Sequence, residues 1–492
     1  MSTTMDTPSA ARRLIKGLRP PCVLSLISDT QTPVSVFHKL IAQSRLGFLF
    51  ESAEGDTRLA RFSFVGVDPL LTVELRSGQA VVQDGRGNEI ERTPFDDPTA
   101  VLAQILGDCR DCVQGDIVAL PDVPFAGGLV GYMGYAATRY FERIPQQSDD
   151  LLTVPEGIYG LYDSLIIFDH QYRQLHIVSR RGQPYAQELL NRLDSDLSLP
   201  TVPMSEIRAD GDVFSDVQAN MPRERFLKLV DQCKEYICEG QVFQIVVSQR
   251  FSVPVKAAPL DVYRVLQTIN PSPYAYFLQF PGFSYLGSSP ETFVRCMDGN
   301  VSLRAIAGTR PRGRTAEEDK ALEAELKSNE KELAEHHMLV DLGRNDLGRI
   351  SRVGTVKVGE IAALTKYAHV MHLATEICGQ LREDKTCFDA FRSCFPRGTV
   401  SGAPKVRAMQ LLSQLEPERR GIYSGVVGYF DFKGNTDGAI AIRSALLKDG
   451  IAHINAGAGI VLDSDPEAEY EETRNKAKSI IKAVVAASRR VQ

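Results

Sequence analysis

Residues 304–349 read RAIAGTRPRGRTAEEDKALEAELKSNEKELAEHHMLVDLGRNDLGR, a short apolar run that gives way to a long, charged, helix-periodic segment. The run Ala305-Ile306-Ala307 turns at Gly308-Thr309, where glycine frees the backbone for conformations that side chains resist. Arg310, Arg312 and Arg314 follow, and guanidinium groups beside a glycine turn suit an anionic small molecule. Leu322, Leu326, Leu333, Met338 and Leu342 then recur roughly once per turn, which predicts a helix. Glu332 and Glu335, three apart, share one of its faces. On periodicity alone that face reads as solvated, because Lys327, Lys331 and further glutamates interleave.

The same handover from strand to helix recurs on both sides of this stretch. Downstream, short strands alternate with helices predicted over 386–393, 403–414 and 466–489. Upstream, Pro222 opens a helix with Phe226, Val230, Cys233 and Ile237 on one face and Gly240 at its end, and a strand follows over 241–253. Nearer the N-terminus, alternation over 47–69 predicts a hairpin turning at Glu54-Gly55-Asp56, with further strands over 22–28, 158–169 and 174–179. Helices are predicted over 33–44, 97–106 and 184–197. Strands in runs with helices grouped between them indicate an α+β fold. A stretch rich in Ser, Pro and Asp marks residues 198–217 as a linker between portions 21–197 and 218–492, after a flexible tail over 1–20.

Composition excludes several classes of function. A net charge of −6 over 492 residues, without a basic stripe, argues against a nucleic-acid platform. The most apolar run, 125–137, is too short to span a bilayer and is broken by Gly127, Gly128, Gly131 and Gly134. Nine cysteines make an odd count for a disulfide framework and fit reduced thiols in the cytoplasm. Cys109 and Cys112 form a C-x-x-C with no second pair at zinc-ribbon spacing, and read as neighbouring helix-face residues. The basic N-terminus lacks the apolar segment of a secretory signal.

A second acidic pair, Glu469 and Glu472, opens the last helix. Carboxylates there complement the helix dipole. With Glu332 and Glu335 they also make a workable set of hard oxygen ligands for Mg²⁺, an ion that takes few protein carboxylates and keeps water positions for a substrate anion. Ahead of them, Asn455-Ala456-Gly457-Ala458-Gly459 lets backbone approach a small anion closely, without the full dinucleotide fingerprint. His372 lies in an apolar setting that suits either a core histidine or a proton carrier.

Ala307-Gly308-Thr309-Arg310-Pro311-Arg312-Gly313, Glu335-His336, Asp341-Leu342-Gly343-Arg344-Asn345-Asp346, Val370-Met371-His372, Gly398-Thr399-Val400-Ser401-Gly402-Ala403-Pro404-Lys405 and Glu472-Thr473-Arg474-Asn475-Lys476 occur in that order. Together they resemble the component I family of anthranilate synthases, enzymes that use chorismate, and the resemblance runs from Leu49-Phe50-Glu51-Ser52 to the last helix. It implies two antiparallel sheets packed face to face with helices on the outside, a single large chorismate-binding fold with an N-terminal regulatory portion. It also implies Mg²⁺-dependent conversion of chorismate and ammonia to anthranilate and pyruvate. Carried over motif by motif, Glu335 and Glu472 hold the metal, with Glu332 and Glu469 as neighbouring catalytic carboxylates. Gly308, Thr309, Tyr423, Arg443, Gly457, Ala458, Gly459 and Lys476 cradle substrate, and His372 and Thr399 lie against its ring.

Two positions separate branches of this resemblance. Relatives that make 4-amino-4-deoxychorismate carry lysine where this chain has Ala307, and isochorismate synthases carry a water-activating lysine where it has Gln244. Both point to ammonia at ring carbon 2 and leave open whether the intermediate, 2-amino-2-deoxyisochorismate, loses pyruvate. A non-catalytic chorismate- or tryptophan-binding regulator is a rival reading, opposed by the intact acidic pairs. The family's tryptophan feedback site maps to Ser52, Pro273, Tyr274 and Ala275, where alanine replaces methionine and removes an adaptable apolar contact. No cysteine lies in the G-x-C-x-G-x-Q elbow of a glutaminase, so a separate glutamine amidotransferase subunit is the expected ammonia source.

Overall fold

The computed structural model describes residues 9–52, 61–112, 120, 122–145, 150–202, 212–366 and 370–489. The hairpin turn expected at Glu54-Gly55-Asp56 lies outside them. Among the described residues, two sheets of twelve strands each organise the fold. In the first, the order runs Cys22–Ile27, Gln174–Ser179, Ser164–Asp169, Phe62–Val67, Gly47–Glu51, Tyr274–Phe280, Phe283–Ser289, Ser444–Lys448, Ile451–Ile460, Gln244–Pro254, Gln218–Ala219. In the second it runs Lys357–Val358, Val370–Gln380, Asn300–Pro311, Thr292–Met297, Thr436–Ile440, Val426–Asp431, Gly128–Met133, Gly157–Tyr162, Leu71–Arg76, Gln79–Asp84, Glu89–Pro94. Gly402–Ala403 pairs with the Gln244–Pro254 strand and Ala363–Lys366 with the Val370–Gln380 strand.

The orders show that residues 21–197 and 218–492 are not separate bodies. Each sheet takes one flank from the first portion and the other from the second, joined by Gly47–Glu51 on Tyr274–Phe280 and by Gly128–Met133 on Val426–Asp431. Phe48, Phe64, Tyr276 and Leu446 of the first sheet pack against Tyr132, Tyr162, Val427 and Tyr429 of the second, an apolar layer between the two faces. Helices cover the outsides. Pro33–Ile41, Gln183–Leu193, Pro259–Ile269 and Pro466–Arg489 bury their apolar stripes on the first sheet. Pro98–Cys112, Glu330–Gly348 and Cys387–Cys394 do so on the second. This is the sandwich with outer helices that the resemblance implied. Residues 9–18 are not a loose tail: Ser9–Ile15 is a helix, and Ala11, Ile15 and Leu18 are buried beside Leu102, Ile105 and Leu106. No helix among the described residues is long and apolar enough to cross a membrane.

The opening stretch becomes one strand and two helices. In Asn300–Pro311 the alternate residues Val301, Leu303, Ala305 and Ala307 are buried, the two-residue period of a strand with one covered face. The helical segment is broken: Ala316–Ser328 ends at Asn329, which is extended at ψ 105° and accepts a hydrogen bond from the Glu332 backbone to cap a second helix, Glu330–Gly348. An asparagine three residues ahead of a glutamate is an N-cap signal that the leucine periodicity masked.

Candidate active site

The Asn300–Pro311 strand pairs residue for residue with Val370–Gln380 until Ala307, where the register shifts and Thr309 comes opposite His372. Gly308 makes this bulge at φ 64°. A Cβ there would stand 2.7 Å from Leu326 Cδ1 and 3.1 Å from Glu332 Oε2, so only glycine lets the strand pass under the two helices. His372 Nδ1 lies 2.9 Å from Thr309 Oγ1 and 3.2 Å from the Gly308 carbonyl. A carbonyl can only accept, so Nδ1 carries the proton and Nε2 is the basic nitrogen. Burial, helped by the charges of Arg304 and Arg443, holds the ring below the ordinary histidine range despite the bond to Gly308. The imidazole is therefore neutral at neutral pH.

The first sheet supplies the facing wall. Gly457, Ala458 and Gly459 pair with Ser248, Val247 and Val246. A Cβ on Gly457 would meet Tyr423 Oη at 3.0 Å, and one on Gly459 would meet Gln244 Nε2 at 2.8 Å, so the small residues make room for these two side chains. Lys476 Nζ donates to the Gly457 carbonyl at 2.9 Å and pairs with Glu472 at 2.6 Å, and Arg443 donates to the Lys476 carbonyl at 2.9 Å. Gln244 Nε2 donates to Glu335 Oε1 at 3.2 Å, which brings a strand of the first sheet against a helix carried by the second.

The two acidic pairs, from separate helices, meet electrostatically. Burial raises the Glu335 carboxyl, and the charges of Glu332 and Glu472 raise it further against the Gln244 hydrogen bond and Lys476. Burial raises Glu469 too, with Glu472 adding to it, although Ser464 donates to it at 2.7 Å. Among the described residues no three His, Cys, Asp or Glu side chains gather as an ion cage. Glu332 is drawn to Arg310 at 3.1 Å and Glu472 to Lys476. Hard oxygen donors crowded with like charge, offering few ligands and leaving room for water and substrate, fit a small divalent cation such as Mg²⁺.

The structure adds a carboxylate that the sequence did not mark. Glu291 sits in the link between Phe283–Ser289 of the first sheet and Thr292–Met297 of the second. Burial pushes its carboxyl up to about 7, against the pull of Arg397, a hydrogen bond from Thr399 and Lys476. Thr399 Oγ1 donates to it at 2.9 Å. Flanked by Ser289, Pro290 and Thr292, it reads in sequence as a turn residue, with no acidic partner three or four residues away. Two motifs without an evident task also find one: Asp346 of the Asp341-to-Asp346 run is the buried counter-ion of Lys405, at 2.8 and 2.9 Å.

The arginine cluster expected to meet an anion is spent on ion pairs. Arg310 binds Glu325 at 2.6 Å as well as Glu332, and Arg312 binds Asp319 at 2.8 Å. Arg314, 90 % exposed, pairs with Glu318. These bonds fasten the strand to the helices above it.

Ser52, Pro273, Tyr274 and Ala275 do come together, around a second pocket with Phe50, Glu51, Phe62, Tyr429 and Asp437. Tyr274 Oη donates to Asp437 Oδ1 at 2.9 Å and accepts from Thr292 Oγ1 at 3.1 Å. Burial pushes Asp437 up to about 6, with Arg295 and Tyr274 opposing. Tyr263 donates to Glu51 at 2.7 Å. Ala275 borders the pocket, but its methyl packs in the helix-covered layer with Phe277, because alternate strand residues point to opposite faces. Its small size therefore acts on the back of the pocket wall.

Residues 48–482 match the model of the chorismate binding enzyme family. Anthranilate synthase component 1 of Acetivibrio thermocellus is 42 % identical over 481 residues, covering 94 % of this chain and 95 % of the relative. The protein of the same name from Pseudomonas putida is 41 % identical, covering 95 % of this chain and 96 % of its own length. The crystal structure of anthranilate synthase component I from Streptococcus pneumoniae TIGR4 superposes with a TM-score of 0.73 at 34 % identity, covering 93 % of this chain and 99 % of that one. This chain belongs to the chorismate binding enzymes, on the branch of anthranilate synthase component 1.

Proposed function

We propose that this chain converts chorismate and ammonia to anthranilate and pyruvate. The observation that carries the reading is the gathering, around Lys476 and Arg443, of an acid near neutrality, a neutral histidine, a glycine-floored wall and two acidic pairs. Chorismate is a dianion, and its conversion adds ammonia at ring carbon 2 and expels a ring hydroxyl as water. That hydroxyl needs a proton. Glu291, held near 7 and oriented by Thr399, has the pKa of a general acid at working pH. The second step removes a ring proton and releases the enolpyruvyl group as pyruvate; His372, neutral with Nε2 basic, is the group suited to take that proton.

Glu335 and Glu472 would hold Mg²⁺, with Glu332 and Glu469 beside them. The ion when bound supplies positive charge against the ring carboxylate and relieves the repulsion among these acids. Gly308, Thr309, Tyr423, Arg443, Lys476 and the 457–459 backbone shape the substrate cradle. Gln244, a neutral amide engaged with Glu335, is a poor base for water, which leaves ammonia as the nucleophile. Most ammonia is protonated at neutral pH, so a glutamine amidotransferase subunit is the natural supplier. The pocket around Tyr274 and Asp437 would take tryptophan as a feedback ligand.

The test is purified chain with chorismate, Mg²⁺ and an ammonium salt, following anthranilate fluorescence and pyruvate together. Equal yields are expected, with no product from glutamine until the partner subunit is added. Chorismate consumed without pyruvate would move the assignment to an enzyme that stops at 2-amino-2-deoxyisochorismate. Glutamine-dependent synthesis by the isolated chain would remove the partner from the account.

A further inference from the structure

Against the strand that backs Gly457 and Gly459 lies a buried ion pair that the chemistry above does not use. Arg420, 3 % exposed, places all five guanidinium hydrogens on acceptors. Nε and NH2 bind the two oxygens of Glu416 at 2.8 and 2.6 Å. NH1 donates to the Val400 carbonyl at 2.6 Å and to Ser424 Oγ at 3.1 Å, and NH2 also donates to the Val246 carbonyl at 2.6 Å. The ring of Tyr135 covers the group, 4.6 Å from centroid to Cζ. Glu416 in turn accepts from the backbone nitrogen and hydroxyl of Ser248 at 2.8 and 2.9 Å.

The acceptors are the neighbours of site residues. Val400 follows Thr399, which orients Glu291. Ser424 follows Tyr423 and stands at φ 65°, a left-handed conformation that a non-glycine residue holds only when its surroundings fix it. Val246 and Ser248 lie opposite Gly459 and Gly457. One planar cation therefore spans the turn bearing Thr399, the turn bearing the cradle tyrosine, and the strand behind the glycine floor. A buried pair is weak evidence for stability, since desolvation offsets much of its attraction, but a five-bonded planar fork fixes geometry in a way few other groups can.

We infer that Arg420, braced by Glu416, is a positioning residue that sets Thr399 and Tyr423 at their working distance from the substrate floor. This rests on the proposed reaction. Lysine keeps the charge but offers three donors from one point, so it cannot hold all three segments.

The experiment compares wild type, R420K, S424A, T399V and the doubles R420K/T399V and S424A/T399V, each measured for kcat, KM for chorismate and thermal midpoint. Misplacement of reacting groups by about 1 Å costs on the order of 100-fold in rate, so R420K is expected to lower kcat by about 10- to 100-fold while KM changes by less than about threefold. Because Arg420 acts through Thr399, the double should lose less than the product of the single losses. Should R420K fail to fold, S424A, which removes one acceptor, carries the same cycle with a smaller loss. A kcat within about twofold of wild type in R420K, multiplicative losses in the doubles, or a loss that follows only the unfolded fraction overturns the inference alone. A wild type that leaves chorismate untouched overturns the functional reading and the inference with it.

Discussion

The proposed substrate site and the Tyr274 pocket both draw residues from the two sheets, yet their polar groups are treated in opposite ways. In the pocket, buried charges are answered within the protein: Asp437 by Tyr274 and Arg295, Glu51 by Tyr263. In the proposed site, Glu335 is crowded by Glu332 and Glu472, and Glu469 by Glu472, with Lys476 as shared compensation. A region whose buried carboxyls each have a hydrogen-bond donor needs no cation. A region left with surplus like charge gains most when a cation and its substrate arrive.

The contrast breaks most sharply at the acids. Glu335→Gln or Glu472→Gln should cut turnover by more than about 100-fold, since each removes a charged oxygen that water cannot replace. The thermal midpoint should hold or rise, because repulsion is removed as well. Full activity in either variant would sink the metal assignment.

Glu291→Gln comes next, with an expected loss of about 100-fold or more in ammonia addition, the usual worth of a general acid. Its pH signature follows from the raised carboxyl. The group is protonated and competent below its folded value and ionised above it, so the rate per free ammonia should fall as pH rises past about 7. The glutamine variant should lack that limb, and a wild-type profile without it would remove Glu291 from the acid role. Replacing His372 with leucine should slow pyruvate release more than ammonia addition, detected as accumulating aminodeoxyisochorismate. Equal slowing of both steps would leave only a packing role.

The smallest effect belongs to the pocket. Tyr274→Phe leaves Asp437 without its hydroxyl donor, a cost of about 1–3 kcal/mol read by denaturation. It should also weaken any inhibition by tryptophan. A variant as stable as wild type would show that the pocket's network is less complete than its distances suggest.

Much of this was legible where chemistry follows local spacing. Glutamates three apart share a helix face, so both acidic pairs could be read directly; Gly308-Thr309, read as a turn, is instead a bulge within a strand that runs on to Pro311. Long-range groups were not legible. Glu291 acquires its character from burial at the crossing between sheets, which no neighbour in sequence records. Arg310 and Arg312 resembled an anion site because their partners, Asp319, Glu325 and Glu332, lie on helices whose packing the pattern does not specify. The linker at 198–217 is a break in composition that the sheets do not share, since each takes strands from both sides of it.

The central claim is that two acidic pairs on separate helices form one cation site that the pocket lacks. Titration of Mg²⁺ into the purified chain, read by calorimetry and thermal midpoint, tests it directly. Wild type and Tyr274→Phe should bind the ion and gain stability alike, while Glu335→Gln and Glu472→Gln should lose both responses. Equal binding in all four proteins, or none in wild type with chorismate present, would contradict it.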